Sequence, residues 1–245
     1  MALPRFFLDP PPTPPAEGQA LPLDAATVQH LRALRLRPGA ALELVLGEAP
    51  WRADLAELAR ERGLARLVSP LEEVREPPFA LEACLPLTAQ LALWDEWLPP
   101  LVELGATRIQ PVAYARSEFD PARTAARMER WTRLILAACE QSHRTRRPVL
   151  HPPMPFEALL AWPTAQRWVA YELPTGQANP VLRHAPLAFT SGPEGGITEG
   201  EYAALAAAGW LPVSLGRSIL RAVTAPVALL GAVQMDLGRP AALQP

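Results

Sequence analysis

The chain contains no lysine: all 23 basic positions among its 245 residues are arginine. A lysine Schiff base, a lysine general base and a Walker-type phosphate loop are thereby excluded. There are only two cysteines, Cys84 and Cys139, too few for a disulfide framework or a thiolate metal cage. The four histidines, His30, His143, His151 and His184, are scattered without metal-ligand spacing, so no metal is expected. No uncharged apolar run approaches the roughly 20 residues of a membrane span, and no membrane partner is expected. Behind Arg5, the opening MALPRFF has neither an apolar run nor a small-residue cleavage site. That reads against a secretory signal and for a cytoplasmic protein. G-x-G-x-x-G, H-E-x-x-H, G-x-S-x-G and C-x-x-C motifs are all missing, and with them the chemistries they carry.

Proline, by contrast, is abundant at 30 residues, far above the typical ~5%. With 49% hydrophobic and 20% charged residues, the chain is apolar enough to fold into one large domain or two modest ones. The net charge of −2 argues against a strongly basic nucleic-acid binder, but its distribution is uneven. Seven arginines (123, 127, 130, 133, 144, 146 and 147) face only Glu129 and Glu140 between positions 123 and 147. This basic stretch is either a solvated helix face or a grip on phosphates.

Residues 1–75 and 76–245 read as separate parts. The first holds a proline cluster (Pro10, Pro11, Pro12, Pro14, Pro15), expected to be loop or extended chain. Ala41–Gly47 alternates like a half-buried strand. Trp51–Leu58 and Leu64–Leu71 are candidates to complete a small β-barrel, although 51–60 also fits a helical period. Glu76-Pro77-Pro78 reads as a linker. The second part alternates strand-like and helix-like segments, as α/β layer folds do. Its strand candidates are Phe79–Leu87, Thr107–Val112, Arg167–Tyr171, Pro186–Thr190 and Leu211–Leu215.

Asp120-Pro121 is a capping residue followed by proline at the first helical position. In the helix it opens, Met128, Trp131, Ile135 and Ala138 share one face and Arg123, Arg127, Arg130 and Arg133 the neighbouring one. Thr198 with Glu201 forms a capping box, and Gly209 is expected to close that helix. A last helix is expected from about Arg221 to Asp236.

Two glycine-bearing loops follow apolar strands: 187–201 (LAFTSGPEGGITEGE) and 213–225 (VSLGRSILRAVTA). Gly192, Gly195 and Gly196 permit close backbone approach to a ligand. Two such loops at successive strand ends of one sheet face the edge where α/β folds place ligands. Together they favour a nucleotide-like ligand.

At this point the sequence resembles a known family. SGPEGGITEGE (191–201), SLG with ILR and TA (214–225), and CEQSHR with Pro148 (139–148) are similar to the bacterial small-subunit ribosomal RNA methyltransferase E family. ELG with Ile109 and Pro111 (103–111), PRFF (4–7), and His30-Leu31 before LRLRPG extend the likeness over most of the chain. The family consists of knotted, SPOUT-type methyltransferases that use S-adenosyl-L-methionine and methylate N3 of one uridine in the decoding region of 16S rRNA. The resemblance implies an α/β (α+β overall) protein with two domains. Residues 1–75 would form a PUA-like β-barrel that helps hold RNA, and 76–245 an α/β methyltransferase domain with a deep trefoil knot. It further implies a homodimer acting on 16S rRNA within the small ribosomal subunit, with S-adenosyl-L-homocysteine as product.

Carried over by position, the donor site would use Thr190, Ser191, Gly192, Pro193, Glu194, Gly195 and Gly196 from one loop. From the other it would use Ser214, Leu215, Gly216, Ile219 and Leu220, with Glu172 a further candidate. Arg221 is the expected catalytic residue, stabilising charge that develops on the uracil carbonyls. The alternative is an ion pair holding the last helix, although an arginine in a helix's first turn opposes the dipole. Glu194 is read first as loop structure, ahead of a proton acceptor or a partner contact. Arg123, Arg127, Arg130, Arg144, Arg146 and Arg147, with His30, Arg32 and Arg35 in the barrel, are the expected RNA contacts.

The sequence departs from the family pattern at several places. Val223 stands for a glutamate, Ser218 for an arginine, and Tyr114-Ala115-Arg116-Ser117 for S-E-R-S or S-E-R-C. Trp94–Trp97 replaces a lysine-bearing helix start, which Pro99-Pro100 is expected to interrupt. Two other functions fit the same residues: methylation of another RNA nucleotide, base or ribose hydroxyl, and RNA binding without catalysis.

Overall fold

A computed structural model describes residues 3–72, 75–117, 120–171 and 178–238. In chain order the elements are β1 (Arg5–Leu8), β2 (Ala20–Leu23), α1 (Ala25–Ala33), β3 (Ala41–Leu46), β4 (Ala49–Leu58) and β5 (Gly63–Pro70). Then come β6 (Leu81–Pro86), α2 (Leu93–Glu103), β7 (Arg108–Ala113), α3 (Pro121–Ser142), β8 (Val149–Leu150) and β9 (Met154–Pro155). The last are α4 (Phe156–Leu160), β10 (Gln166–Ala170), β11 (Leu187–Thr190), α5 (Glu199–Ala207), β12 (Leu211–Val213) and α6 (Ala225–Leu237). They form two units: Met1–Glu76 with Cys139–Arg146, and Pro77–Ala138 with Arg147–Pro245.

The first unit is a curled five-stranded sheet in the order β1-β3-β4-β5-β2. Strand β4 settles the ambiguity at 51–60. Trp51, Ala53 and Leu55 are buried while Arg52 and Asp54 are exposed, the two-residue period of a strand with one face on a core. Register shifts between β4 and β5 at Arg52/Ala53 and Leu55/Glu57 strengthen the local twist and curl the sheet. Phe6, Leu31, Leu42, Leu44, Leu55 and Leu67 fill its core.

Buried charges fasten Cys139–Arg146 into this unit. Arg5 is 3% exposed; it pairs with Glu43 at 2.7 Å and donates to the backbone carbonyls of His143 and Arg144. Arg144 pairs with Glu76 at 2.6 Å, and the Thr145 and Arg146 amides donate to the same carboxylate at 2.8 and 2.9 Å. Glu76 is therefore a pinned anchor rather than linker chain.

Glu140, in the last turn of α3, has its carboxyl pushed up to about 7 by burial; a hydrogen bond from the Phe7 backbone opposes the shift and the charge of Asp24 adds to it. A carboxyl raised in the folded state holds a proton that the unfolded chain releases near its ordinary value. Its stabilisation is complete below pH ~4.5 and lost as pH rises through about 7. Glu140→Gln is expected to flatten the stability–pH curve across that window in urea titrations. An unaltered slope would assign the ionisation to another group.

The second unit is built on a parallel sheet in the order β12-β10-β11-β6-β7-β8, with β9 also pairing with β7. Strands β6 and β11 are buried throughout, as expected for parallel strands covered on both faces. Helix α3 starts where Asp120 predicts, its carboxylate accepting the Arg123 amide at 3.1 Å. Trp131, Ile135 and Ala138 are buried as the period requires. Both halves of the capping box at α5 are present.

Two expectations fail. Helix α2 runs straight through Pro99 and Pro100. The prolines remove two amide donors, at roughly 3 kcal/mol each, but five side chains hold the helix to the core: Trp94, Trp97, Leu98, Leu101 and Val102 are fully buried. The ring of Trp94 also stacks on Trp131 with centroids 4.6 Å apart. The last helix begins at Ala225 rather than Arg221. Arg221 lies in the turn before it, and the dipole argument for a functional arginine in a first helical turn falls away.

Candidate active site

Strand β10 pairs with β11 on one side and β12 on the other, Val169 opposite both Thr190 and Pro212. The chain segments that leave β11 and β12 thus emerge from the same end of the sheet, on either side of β10. They wall a cavity of about 580 Å³, within the 300–1,000 Å³ typical of small-molecule sites. Ser191, Gly192, Pro193, Glu194, Gly195 and Gly196 line it from the first loop. Leu215, Gly216, Ile219, Leu220 and Arg221 line it from the second.

The first loop is shaped by its glycines. Gly196 has φ +73°. A Cβ on Gly192 would lie 3.0 Å from the Ile197 side chain and 3.1 Å from its amide nitrogen, and one on Gly195 would lie 3.2 Å from the Arg116 side chain. Arg116 caps this loop by donating from its guanidinium to the Gly195 carbonyl. Glu201 joins the two segments differently: one carboxylate oxygen accepts the Ala115 amide at 2.6 Å and the other the Thr198 amide at 2.9 Å. Ser191 is 1% exposed, and its hydroxyl has no hydrogen-bond partner among the described residues. A buried hydroxyl left unsatisfied costs ~1–3 kcal/mol, which suits a polar ligand in the cavity.

Two expected donor residues stand outside the lining. The Thr190 hydroxyl is spent on Tyr114, 2.6 Å away beneath the loop. Burial raises the Tyr114 phenol above its ordinary range against the Thr190 hydrogen bond, with the charges of Cys84 and Glu201 adding, so the tyrosine is neutral. Ser214 is bound to Asn179, its amide donating at 2.8 Å and its carbonyl accepting at 2.9 Å. Glu172 lies outside the described residues. Several lining residues lie outside the expected set, among them Gln90, Leu93, Glu96 and Tyr171. Gln90 precedes α2, Leu93 and Glu96 lie in its first turn, and no sequence motif marked them. Trp97, fully buried, donates from its indole to the Ala222 carbonyl at 3.2 Å and braces the second loop.

Arg221 is exposed and lines the cavity. Its carbonyl accepts the Thr224 and Ala225 amides at 2.9 and 3.1 Å. No ion pair holds its guanidinium among the described residues, so the alternative of a salt bridge to the last helix is not seen. Burial pushes the Cys84 thiol well above its usual value, with the charge of Glu82 adding to the shift, which removes a thiolate nucleophile from the sheet edge.

The expected RNA contacts divide. Arg144 is 2% exposed and locked onto Glu76; burial takes it out of any solvent-facing grip, a correction to the sequence reading. Arg127 and Arg130 both reach Asp95, at 3.8 and 2.8 Å, and Arg146 reaches Glu48 at 2.8 Å. Arg123 and Arg147 are exposed. His30 and Arg32 sit on α1 of the first unit, His30 lying 3.6 Å from Glu140, and Arg35 follows the Leu34 cap of that helix.

Residues 75–234 match a family model described as an RNA methyltransferase domain. A ribosomal RNA small subunit methyltransferase E from Synechocystis is 35% identical over 227 residues, covering 86% of this chain and 71% of its own. The protein of that name from Mycobacterium bovis is 32% identical over 250 residues, covering 93% of this chain and 90% of its own. A crystal structure of ribosomal RNA small subunit methyltransferase E from Neisseria gonorrhoeae bound to S-adenosyl methionine superposes with a TM-score of 0.84 at 31% identity, over 96% of this chain and 98% of that one. The coverage spans both units, and the matched relatives agree in name; the chain belongs to the ribosomal RNA small subunit methyltransferase E family.

Proposed function

We propose that this protein transfers a methyl group from S-adenosyl-L-methionine to N3 of a uridine in the decoding region of 16S rRNA, releasing S-adenosyl-L-homocysteine. The observation that carries the reading is the pair of glycine-bearing loops around one cavity, with the buried Ser191 hydroxyl unpartnered beside them. The relative from Neisseria gonorrhoeae, alike over nearly the whole chain, binds this donor. The donor, when bound, supplies an electrophilic methyl group on a sulfonium.

The chain's own residues do the rest. Main-chain amides and carbonyls of 191–196 and 215–220, with the Ser191 hydroxyl, hold adenine, ribose and carboxylate without a charged side chain. Arg221 orients the uracil and stabilises the negative charge on its carbonyl oxygens as N3 gives up its proton. The bond from N3 to the methyl carbon would form as that carbon's bond to the donor sulfur breaks, with S-adenosyl-L-homocysteine leaving and the N3 proton released. Arg116 keeps the first loop in its binding shape through the Gly195 carbonyl. Arg123, Arg127, Arg130, Arg146 and Arg147, with His30, Arg32 and Arg35, approach RNA phosphates.

The same reading includes a PUA-like barrel for residues 1–75, a trefoil knot in residues 76–245, a homodimer formed through the knotted domains, and a cytoplasmic site of action on the small ribosomal subunit. It is tested by incubating the protein and labelled donor with small subunits from a strain lacking it, then mapping the modified nucleoside by mass. N3-methyluridine is the expected product, and a 2′-O-methyl nucleoside would overturn the N3 assignment. Calorimetry with S-adenosyl-L-methionine alone should give saturable binding, whereas none would leave an RNA binder without catalysis. RNA affinity should fall steeply with salt. Gly192→Ala is expected to weaken donor binding about tenfold, because its Cβ meets backbone that cannot yield freely; wild-type affinity in the same calorimetry would remove this loop from the donor site.

A further inference from the structure

In the first unit, Arg32, Arg35, Arg37 and Arg60 line one concavity together with Leu36, Leu58 and Ala59, and no acidic residue lines it. All four arginines are exposed. Four like charges around one hollow repel one another unless an anion joins them.

The backbone gives a second, independent observation. Helix α1 ends with the Arg35 amide donating to the Arg32 carbonyl and the Leu36 amide to the Leu31 carbonyl, both at 3.0 Å. This closure puts Arg35 at φ +56°, a conformation glycine adopts freely and other residues avoid. Helices α2 and α5 end in the same two-bond pattern, and there the left-handed residue is glycine: Gly105 at φ +91° and Gly209 at φ +82°. At the end of α3 it is His143, φ +57°, whose ring reaches Glu43 at 3.1 Å. That histidine has a visible reason within the fold. Arg35 has none, because its side chain makes no hydrogen bond or ion pair among the described residues.

We propose that this concavity seats a backbone phosphate of RNA, and that Arg35 occupies a glycine position because its guanidinium is needed there. Arginine suits the task through its planar fork of donors, which matches phosphate oxygens. Arg32 ties the end of α1 to the β4–β5 turn by donating to the Arg60 carbonyl at 3.2 Å, which keeps two of the four guanidinium groups on one rim. The proposal rests on the RNA-methylating reading and adds to it a specific seat, including Arg37 and Arg60, within the first unit.

Arg35→Gly separates fold from function. The full-length variant is expected to melt at the same temperature as the unaltered protein or higher, since glycine relieves the left-handed backbone. Its affinity for a labelled 16S rRNA transcript is expected to fall about tenfold, with the slope of log affinity against log salt reduced by about one. Arg60→Gln, at an unstrained exposed position, should weaken RNA binding in the same direction without a change in melting temperature. Unchanged affinity in both variants overturns the proposal, and so does a fall in melting temperature for Arg35→Gly. Inorganic phosphate is titrated in parallel by calorimetry; if the variants lose only that binding and keep RNA affinity, the seat belongs to a free anion and the RNA assignment fails. Donor calorimetry on the unaltered protein tells the two readings apart, because its failure sinks the methyltransferase reading whatever the RNA comparison gives.

Discussion

Arg221→Ala is expected to slow methyl transfer about a hundredfold, the usual cost of losing one donor aimed at developing negative charge, while S-adenosyl-L-methionine binds almost as before. The side chain is exposed in the cavity wall and, among the described residues, has no partner whose loss would disturb the fold. The Arg221 carbonyl, which organises the turn into α6 by accepting the Thr224 and Ala225 amides, survives the substitution. Trp97 continues to hold the next carbonyl, that of Ala222. Turnover and donor affinity should therefore separate. Single-turnover kinetics on small ribosomal subunits, paired with calorimetry, reads both. A loss shared equally between them would make Arg221 part of the donor's wall, and an unchanged rate would remove it from the reaction.

The second large effect is on stability. Glu76→Ala is expected to destabilise the protein by about 3–5 kcal/mol, because it leaves a buried guanidinium without its partner. Glu76 and Arg144 have side chains only 3% and 2% exposed. The carboxylate also collects the Thr145 and Arg146 amides, so one truncation orphans several donors. Against a typical total of ~5–15 kcal/mol, this is enough to unfold a marginal protein near body temperature.

The pH dependence has a definite sign. Burial pushes the Glu76 carboxyl up, but the Arg144 hydrogen bond and charge and the two amides outweigh it and hold it below its ordinary 4.5. A carboxyl depressed in the folded state contributes above its unfolded value, and that contribution drains away in acid as pH falls through the folded value. Glu76→Gln should keep part of the hydrogen bonding and lose less stability than alanine. Denaturant titration at pH 7 and at pH 3 checks the pair; equal stability of Glu76→Ala and wild type at pH 7 would refute the buried-pair account.

Much of the architecture was legible because local chemistry and tertiary packing agree. The Asp120-Pro121 start and the Thr198–Glu201 box each specify one conformation, and each was found; the strand read at Ala41–Gly47 is present as β3, although its alternation holds only as far as Leu44. The two glycine-bearing loops were legible because their glycines directly follow apolar strands, and both line one cavity. Strands β1 and β2, of four residues each, are too short to show a period, and α1, of nine residues, lacks a strong apolar stripe. The prolines of α2 misled because their local cost is visible in sequence while five buried side chains that offset it are not. The burial of Arg144 could not be read from a run of arginines, since its partner lies 68 residues away. Gln90, Leu93 and Glu96 escaped for the same reason: the wall they form exists only when distant chain segments meet.

The order of strands in the parallel sheet has a consequence during synthesis. β11 pairs with β6, laid down over a hundred residues earlier, and β10 finds its other neighbour only in β12, at Leu211–Val213. A ribosome that has translated as far as α5 has made the first glycine loop but not the second, which completes the cavity wall. Competence to bind a ligand therefore arrives only once β12 and the loop after it have been made, on an edge strand of three residues with little hold of its own. A ligand bridging both loops would act as the last staple of the newborn domain, and its concentration in the cell would set how long that edge stays closed.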